Sequence, residues 1–249
     1  MRFALYYTPA PSSLLYSIAC KWLGSDALTG KKISQDHFSG VNQDRLYELT
    51  STPRRYGLHA TLKAPFRLAH GKSDTDLRSA LQKFSNEYET FCTSPLVICQ
   101  LNGFFCLCPA EQSLQLNMFA ASCVRSFDRF RAPMNRIELA RRRAEILTDT
   151  EKQYLVEWGY PYVLDCFRFH ITLTVRIANT FEQRIIHTAL LNAFAPVLGK
   201  SLRVDAISLS VEPASGQPFV FTDRFLFNNT DQNVGTAHTD SRSFQTVNG

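Results

Sequence analysis

Two copies of one short pattern constrain this chain more than any other feature: His59-Ala60-Thr61-Leu62 and His170-Ile171-Thr172-Leu173. Each sits in the same succession of predicted elements: a strand carrying the motif, a helix, then two strands. In the first succession, over 55–118, a strand-like stretch runs to Pro65-Phe66, and Leu77, Leu81, Phe84 and Tyr88 have helical spacing over 74–91. The Val-, Ile-, Leu- and Phe-rich stretch 95–108 reads as a strand pair or one bent strand, and 114–118 alternates like a half-buried strand. In the second, over 167–227, apolar residues alternate without a break at 167, 169, 171, 173 and 175. A helix then fits 180–198 with Gly199 as its stop, and 202–211 and 219–227 are strands. Self-similarity at this scale predicts a duplicated unit about a pseudo-twofold axis, with a period too long for a solenoid.

The chain has 249 residues, near the upper limit for one core, and that length suits two lobes. Helices covering one face of each sheet give an α+β class: a bilobal duplicated fold, with two mainly antiparallel sheets facing a central cleft and helices on the outer faces. The expected boundaries are one domain over 1–227, with a first motif lobe at about 51–118 and a second at about 162–227. Residues 228–249 are polar, have little to bury, and are expected to form a disordered tail. Elsewhere the sequence predicts a strand over 2–7, a helix over 12–23 capped by Ser12 or Ser13 and stopped at Gly24, and a surface loop over 25–42. A short helical turn at 43–50 and helices over 119–131 and 135–158 complete the outline.

On a strand, residues two apart share a face, so each motif presents an imidazole beside a hydroxyl while Leu58, Ala60 and Leu62, or Phe169, Ile171 and Leu173, turn to the core. If the lobes face each other, two His/Thr pairs line one cleft. An imidazole can act as base or acid near neutrality, and threonine hydroxyls can donate to the non-bridging oxygens of a phosphate. The cleft therefore suits cleavage of a phosphodiester, with His59 and His170 as the catalytic pair and Thr61 and Thr172 as phosphate contacts. Lys63 shares the His59 face by the same period, and Arg176 is in phase with His170 if the strand stays regular that far. Tyr7 and Tyr56 are further candidates for substrate hydrogen bonds. His37, His70, His187 and His238 lack the repeated context and are read as non-catalytic.

Composition excludes more than it selects. Aromatic content of 12%, with eleven Gly and eleven Pro, rules out a wholly disordered or collagen-like chain. A net charge of +5 fits an anionic substrate, but no Lys/Arg tract marks a nucleic-acid arm. Arg141-Arg142-Arg143 stands at four-residue offsets from Glu138 and Glu145, the spacing of a solvated helix face. Seven scattered cysteines without a CxxC pair read as buried free thiols, so no structural metal and no cofactor are expected. Thr8-Pro9 cuts the first apolar run too short for a signal core, and no segment approaches the roughly 20 apolar residues of a membrane span. The expected protein is soluble and cytoplasmic, with no membrane partner; its oligomeric state is not written in the sequence.

The paired motifs resemble those of the two-histidine (2H) phosphoesterase superfamily. The stretches Arg54-Arg55-Tyr56-Gly57-Leu58-His59-Ala60-Thr61-Leu62-Lys63-Ala64-Pro65-Phe66 and Trp158-Gly159-Tyr160-Pro161-Tyr162-Val163, with Phe167-Arg168-Phe169-His170-Ile171-Thr172-Leu173-Thr174, are similar to a bacterial group encoded with phosphonate-utilisation genes. Trp22-Leu23-Gly24 and Leu139-Ala140-Arg141-Arg142-Arg143 extend that resemblance over residues 1–227, and Val175 departs from it where glycine is common. The resemblance implies a bilobal fold and metal-independent phosphodiester chemistry, with His59, His170, Thr61 and Thr172 in the roles given above. The leading expectation is a phosphoesterase acting on a small anionic phosphate ester, for example a ribose cyclic phosphate. The alternatives are a 2′,3′-cyclic phosphodiesterase acting on RNA ends or nucleotides, and a non-catalytic phosphate- or RNA-binding protein.

Overall fold

Beyond Arg2, the strand Phe3-Ala4-Leu5-Tyr6-Tyr7 has no charged face, and a strand of this kind must be covered on both sides. In the computed structural model, which describes residues 1–143 and 146–228 without the side chains of 137 and 141–143, this strand (β1, Arg2–Tyr7) is central in its sheet. Phe3, Leu5 and Tyr7 enter the main core, whereas Ala4 and Tyr6 pack on the opposite face with Phe219 and Tyr56.

β1 is followed by α1 (Leu14–Leu23), α2 (Gln43–Leu49), α3 (Ser51–Tyr56), β2 (Ala60–Phe66), α4 (Asp74–Ser85), β3 (Phe91–Leu101), β4 (Phe104–Pro109) and α5 (Leu114–Phe127). Then come α6 (Arg136–Arg143), α7 (Asp149–Trp158), β5 (Ile171–Thr172), α8 (Thr180–Phe194), β6 (Ser201–Val204), β7 (Ala206–Glu212) and β8 (Val220–Leu226). Two four-stranded antiparallel sheets result, in the orders β2-β1-β7-β8 and β5-β4-β3-β6. The α+β class with two antiparallel sheets is as expected.

The sheets do not follow the repeats. β2, from the first succession, lies in the sheet of β7 and β8 from the second; β5, from the second, joins β3 and β4 from the first. Both motif strands are edge strands, and they approach each other with Cα atoms within 8 Å. Each motif edge therefore lies against the other where the two sheets meet.

Local chemistry explains where the boundaries differ from expectation. Tyr56 ends a helix rather than opening a strand, because Gly57 takes a φ of 70° and turns the chain before β2. Leu114, Leu116 and Met118 begin α5 instead of a strand: the Ser113 hydroxyl accepts from Leu116 N–H as a cap, and 116, 119, 120, 123, 124 and 127 form the buried helical stripe. The helix expected over 135–158 is two helices, the second opened by a Thr148/Glu151 capping box. Over 167–175 alternating burial persists to Leu173, but ladder pairing is confined to β5. The strand expected over 202–211 divides at Asp205, sending β6 and β7 to different sheets.

One cysteine expectation is overturned. Cys99 and Cys108 form a disulfide, because the β3–β4 register turns both to one face with Cα atoms 6.4 Å apart. Cys106 Sγ lies 3.2 Å from Cys99 Sγ on the same face, and Cys92 is exposed. Among the described residues no helix is long and apolar enough to cross a membrane. The segment expected as a tail lies, from residue 229 onward, outside the described residues, as do the side chains of Arg141, Arg142 and Arg143.

Candidate active site

The two motif histidines are held in the same way. His59 Nδ1 is 2.9 Å from the carbonyl oxygen of Gly57, and His170 Nδ1 is 2.8 Å from that of Arg168, each two residues upstream. A carbonyl can only accept, so each Nδ1 carries the proton and each neutral ring keeps Nε2 as its acceptor. Gly57 makes the first contact possible: a Cβ there would lie 2.3 Å from Ala27 Cβ, and its positive φ aims the carbonyl at the ring.

The rings differ in surroundings. His59 lies against Tyr6, centroids 4.1 Å apart, with Tyr56 at 5.7 Å on the same aromatic patch. Burial, with a smaller contribution from His170, drives its pKa down to about 4 against the opposing pull of the Gly57 carbonyl. His170 has Phe104 at 5.8 Å; its pKa is also lowered by burial, opposed by the Arg168 carbonyl.

Thr61 and Thr172 are half-buried on the motif strands. Thr61 pairs with Tyr6 and so shares the face on which His59 meets that tyrosine; Thr172 pairs with Cys106, which puts the three clustered sulfurs on its own face.

The four further candidates separate. Tyr56 stands at the His59 ring. Tyr7 does not: it is buried on the core face, with Phe169 at 5.5 Å and its hydroxyl donating to Arg203 O. Lys63 is 3% exposed and donates to Asp128 Oδ1 at 2.9 Å. A register shift between Leu5 and Tyr6 accounts for this, since Thr61 pairs with Tyr6 but Lys63 pairs with Leu5 on the opposite face. Arg176 is exposed and packs over Gly103 in the β3–β4 turn, where Thr174, buried, accepts from Phe105 N and the ladder has ended.

Sequence reasoning passed over Tyr6, which lies against His59. The signal was available in the alternation along β1, where Tyr6 and Tyr7 must face opposite ways, but the choice between them depends on the register with β2. The same face carries Ser208, Ser210 and Glu212 of β7, all buried and opposite Tyr6, Ala4 and Arg2. A buried polar strip of this kind is unusual in a core, and β1 alone separates it from the motif strand.

A cavity of about 870 Å³ adjoins this patch through Tyr56 and contains neither histidine in its lining. Four arginines and two glutamates line it, so its walls are net basic. Its floor is Glu212, fully buried, which accepts from Arg2 Nε at 2.5 Å and from Arg55 Nη2 at 2.6 Å. Burial alone would raise the Glu212 pKa, but the hydrogen bonds from Arg2 and Arg55 outweigh it and hold the carboxylate at about 2.

A family model described as "Protein of unknown function (DUF1045)" matches residues 61–220. Two curated relatives bear the name "Ribose 1,5-bisphosphate phosphokinase PhnN". One, from Janthinobacterium sp. (strain Marseille), is 32% identical over 95% of this chain and 53% of its own. The other, from Laribacter hongkongensis (strain HLHK9), is 33% identical over 88% of this chain and 50% of its own. The chain thus spans about half the length of the curated relatives it matches. Their Phn name agrees with the phosphonate-gene group that the motifs resemble. Among solved structures the chain is similar to "E.coli LigT complexed with 3'-AMP", at 14% identity and a TM-score of 0.40 over 91% of this chain and 97% of that one. It is also similar to a structure described as a phosphoesterase, at 14% identity and a TM-score of 0.38 over 91% and 98%.

Proposed function

The chain belongs to the DUF1045 family, and we propose that it is a phosphoesterase that opens a cyclic phosphate or cleaves a small phosphodiester by paired histidine acid–base catalysis. The observation that carries this reading is the matched tethering of His59 and His170, each through Nδ1 to a carbonyl two residues back, on adjacent edge strands. That tether leaves both Nε2 atoms for chemistry, and a purely structural histidine has no need of a twin.

His59 is the base in this reading and His170 the acid. The aromatic enclosure of His59 keeps its ring neutral, able to take a proton from the attacking water as the new P–O bond forms. His170, nearer solvent, takes up a proton when the anionic substrate arrives and passes it to the leaving ester oxygen as that P–O bond breaks. Thr61 and Thr172 donate to the non-bridging oxygens, where charge builds in the transition state. These steps use protein groups alone.

The relatives' printed name concerns a ribose phosphate, which favours a ribose cyclic phosphate as the ester. It also names a phosphokinase, and this chain's residues do not fit that reaction: Gly71-Lys72-Ser73 has Phe66 where the phosphate-cradling GxxxxGK[ST] loop needs glycine. The reading is tested by assaying ribose cyclic phosphates and 2′,3′-cyclic nucleotides in the presence of EDTA, beside His59→Ala and His170→Ala. Each variant is expected to lose about 10²–10⁴-fold in kcat/KM; undiminished turnover in either removes the acid–base pair. Turnover of the nucleotides alone would favour the RNA-end reading, and salt-sensitive retention on RNA without turnover the binding one.

A further inference from the structure

Antiparallel register calls for one hydrogen bond beside the second motif that this protein replaces with two others. β5 pairs with β4 as Ile171 with Leu107 and Thr172 with Cys106, so Phe105 comes next, opposite Leu173. In a regular ladder such a pair exchanges both of its bonds. Leu173 N–H does donate to Phe105 O at 2.9 Å. The return bond is crossed: Phe105 N–H donates to the Thr174 hydroxyl at 2.9 Å, and Leu173 O accepts instead from the Trp22 indole Nε1 at 2.9 Å. Trp22, Leu173 and Thr174 are all buried, and neither Phe105 N–H nor Leu173 O is left unpaired. The ladder stops here, directly after Thr172.

The Trp22 anchor is itself held. It stands in the last turn of α1 and packs against Phe38 and Phe194, with ring centroids 5.2 and 6.1 Å away. Its carbonyl accepts from Gln35 Nε2 at 2.6 Å, and the same amide donates to Thr50 Oγ1 at 3.1 Å. The neighbouring Leu49 O accepts from Val175 N–H at 2.6 Å, so the junction of α2 and α3 grips both the tryptophan and the end of the motif strand.

The first motif has no such device. β2 pairs with β1 at four positions from Ala60 to Phe66, on both sides of Thr61, whereas β5 pairs with β4 at two. A two-residue edge strand has too few ladder bonds to hold an imidazole and a hydroxyl to the tolerance that acid–base chemistry on a phosphate needs. The crossed bonds act on the peptide unit that follows Thr172. Resting on the phosphoesterase reading above, we propose that Trp22 and Thr174 are positioning residues of the second motif, whose crossed hydrogen bonds at Leu173 fix the strand that presents His170 and Thr172 to the reacting phosphate.

Trp22→Phe keeps an aromatic ring and loses the indole donor; Thr174→Val keeps the shape and loses the acceptor. Both are assayed on ribose cyclic phosphates and 2′,3′-cyclic nucleotides, beside Thr172→Val. Each is expected to lower kcat roughly tenfold or more with KM little changed, and Thr174→Ser, which keeps the acceptor, to recover most of the rate. Combined with Thr172→Val, the loss should fall short of the product of the single losses, because a hydroxyl already absent cannot be misplaced. A residue that only stabilised the fold would lower the melting temperature and leave kcat of the folded protein unchanged. Undiminished kcat in the folded variants, or losses that multiply in full, therefore overturns the positioning role; Thr174→Val decides alone if Trp22→Phe does not fold. If the native protein turns over none of these esters, the phosphoesterase reading fails, and the NMR titration midpoint of the His170 ring decides the positioning separately. A midpoint displaced in folded Thr174→Val sustains it, and one identical to the native value overturns it.

Discussion

Thr61 and Lys63 stand two residues apart on one strand and face opposite sides of their sheet. The pairing of β1 with β2 slips by one residue between Leu5 and Tyr6, so Thr61 stays with Tyr6 and the His59 ring while Lys63 turns to Leu5 and Asp128. Side chains that a regular strand would place together are thereby split between the His59 face and a buried ion pair.

Opposite consequences are expected for the two sides of that slip. Thr61→Val should lower kcat/KM about tenfold or more, the worth of one hydrogen bond to a charged transition state, with little change in melting temperature. Asp128→Ala should lower the unfolding free energy by about 3 kcal/mol, because it leaves the buried Lys63 ammonium without its carboxylate. Chemical denaturation beside initial-rate kinetics separates the two; a Thr61 variant that loses stability instead of rate would contradict the assignment of faces.

The low pKa of His59 makes stability depend on pH. In the unfolded chain the imidazole titrates near 6.5, in the folded protein near 4. Between these values the unfolded state binds more protons, so stability is full above about pH 6.5, falls as pH drops, and stops falling on this account below about 4. The loss is at most about 3 kcal/mol. Glu212 acts in the same direction in a lower window, from 4.5 down to about 2. Melting temperatures measured from pH 7 to pH 4 should decline in the native protein and less steeply in His59→Asn; parallel curves would show that His59 is not the group responsible.

The motif residues were legible because a repeat carries information that single histidines do not, and the alternation around His170 survives in the burial of Phe167, Phe169, Ile171 and Leu173. Sheet membership was not legible. Nothing local in 60–66 says that β2 pairs with β1 and thus joins β7, since strand partners are chosen by packing across long separations. The fate of Lys63 was hidden for the same reason: a slip in register is a property of two strands, and period-two reasoning inspects one. The arginine cavity draws residues from positions 2, 55, 67 and 131, which no spacing rule connects.

Gly57 should act as a positioning residue. Gly57→Ala places a methyl group 2.3 Å from Ala27 Cβ at a φ of 70°, so the turn must move and carry its carbonyl away from His59 Nδ1. Turnover is expected to fall more than tenfold, and the His59 ring, freed from its tether, should show an altered titration midpoint by NMR. A purely structural glycine would lower stability without moving that midpoint in the folded protein.

Leaving-group chemistry distinguishes the two histidines. If His170 supplies the proton to the departing oxygen, its removal matters only when that oxygen leaves poorly. A nitrophenyl phosphodiester, whose leaving group departs without protonation, should restore most of the activity of His170→Ala while leaving His59→Ala impaired by about 10²–10⁴-fold. The pH profile should agree. In the native protein the base must be neutral and the acid protonated, and burial lowers both pKa values, so kcat/KM should peak below pH 6.5 and decline on the alkaline side. His170→Ala on the activated ester should lose that alkaline limb and keep the acidic one. Rescue of His59→Ala instead would reverse the roles, and the packing of His59 against Tyr6 and Tyr56 would then have to be read as holding an acid.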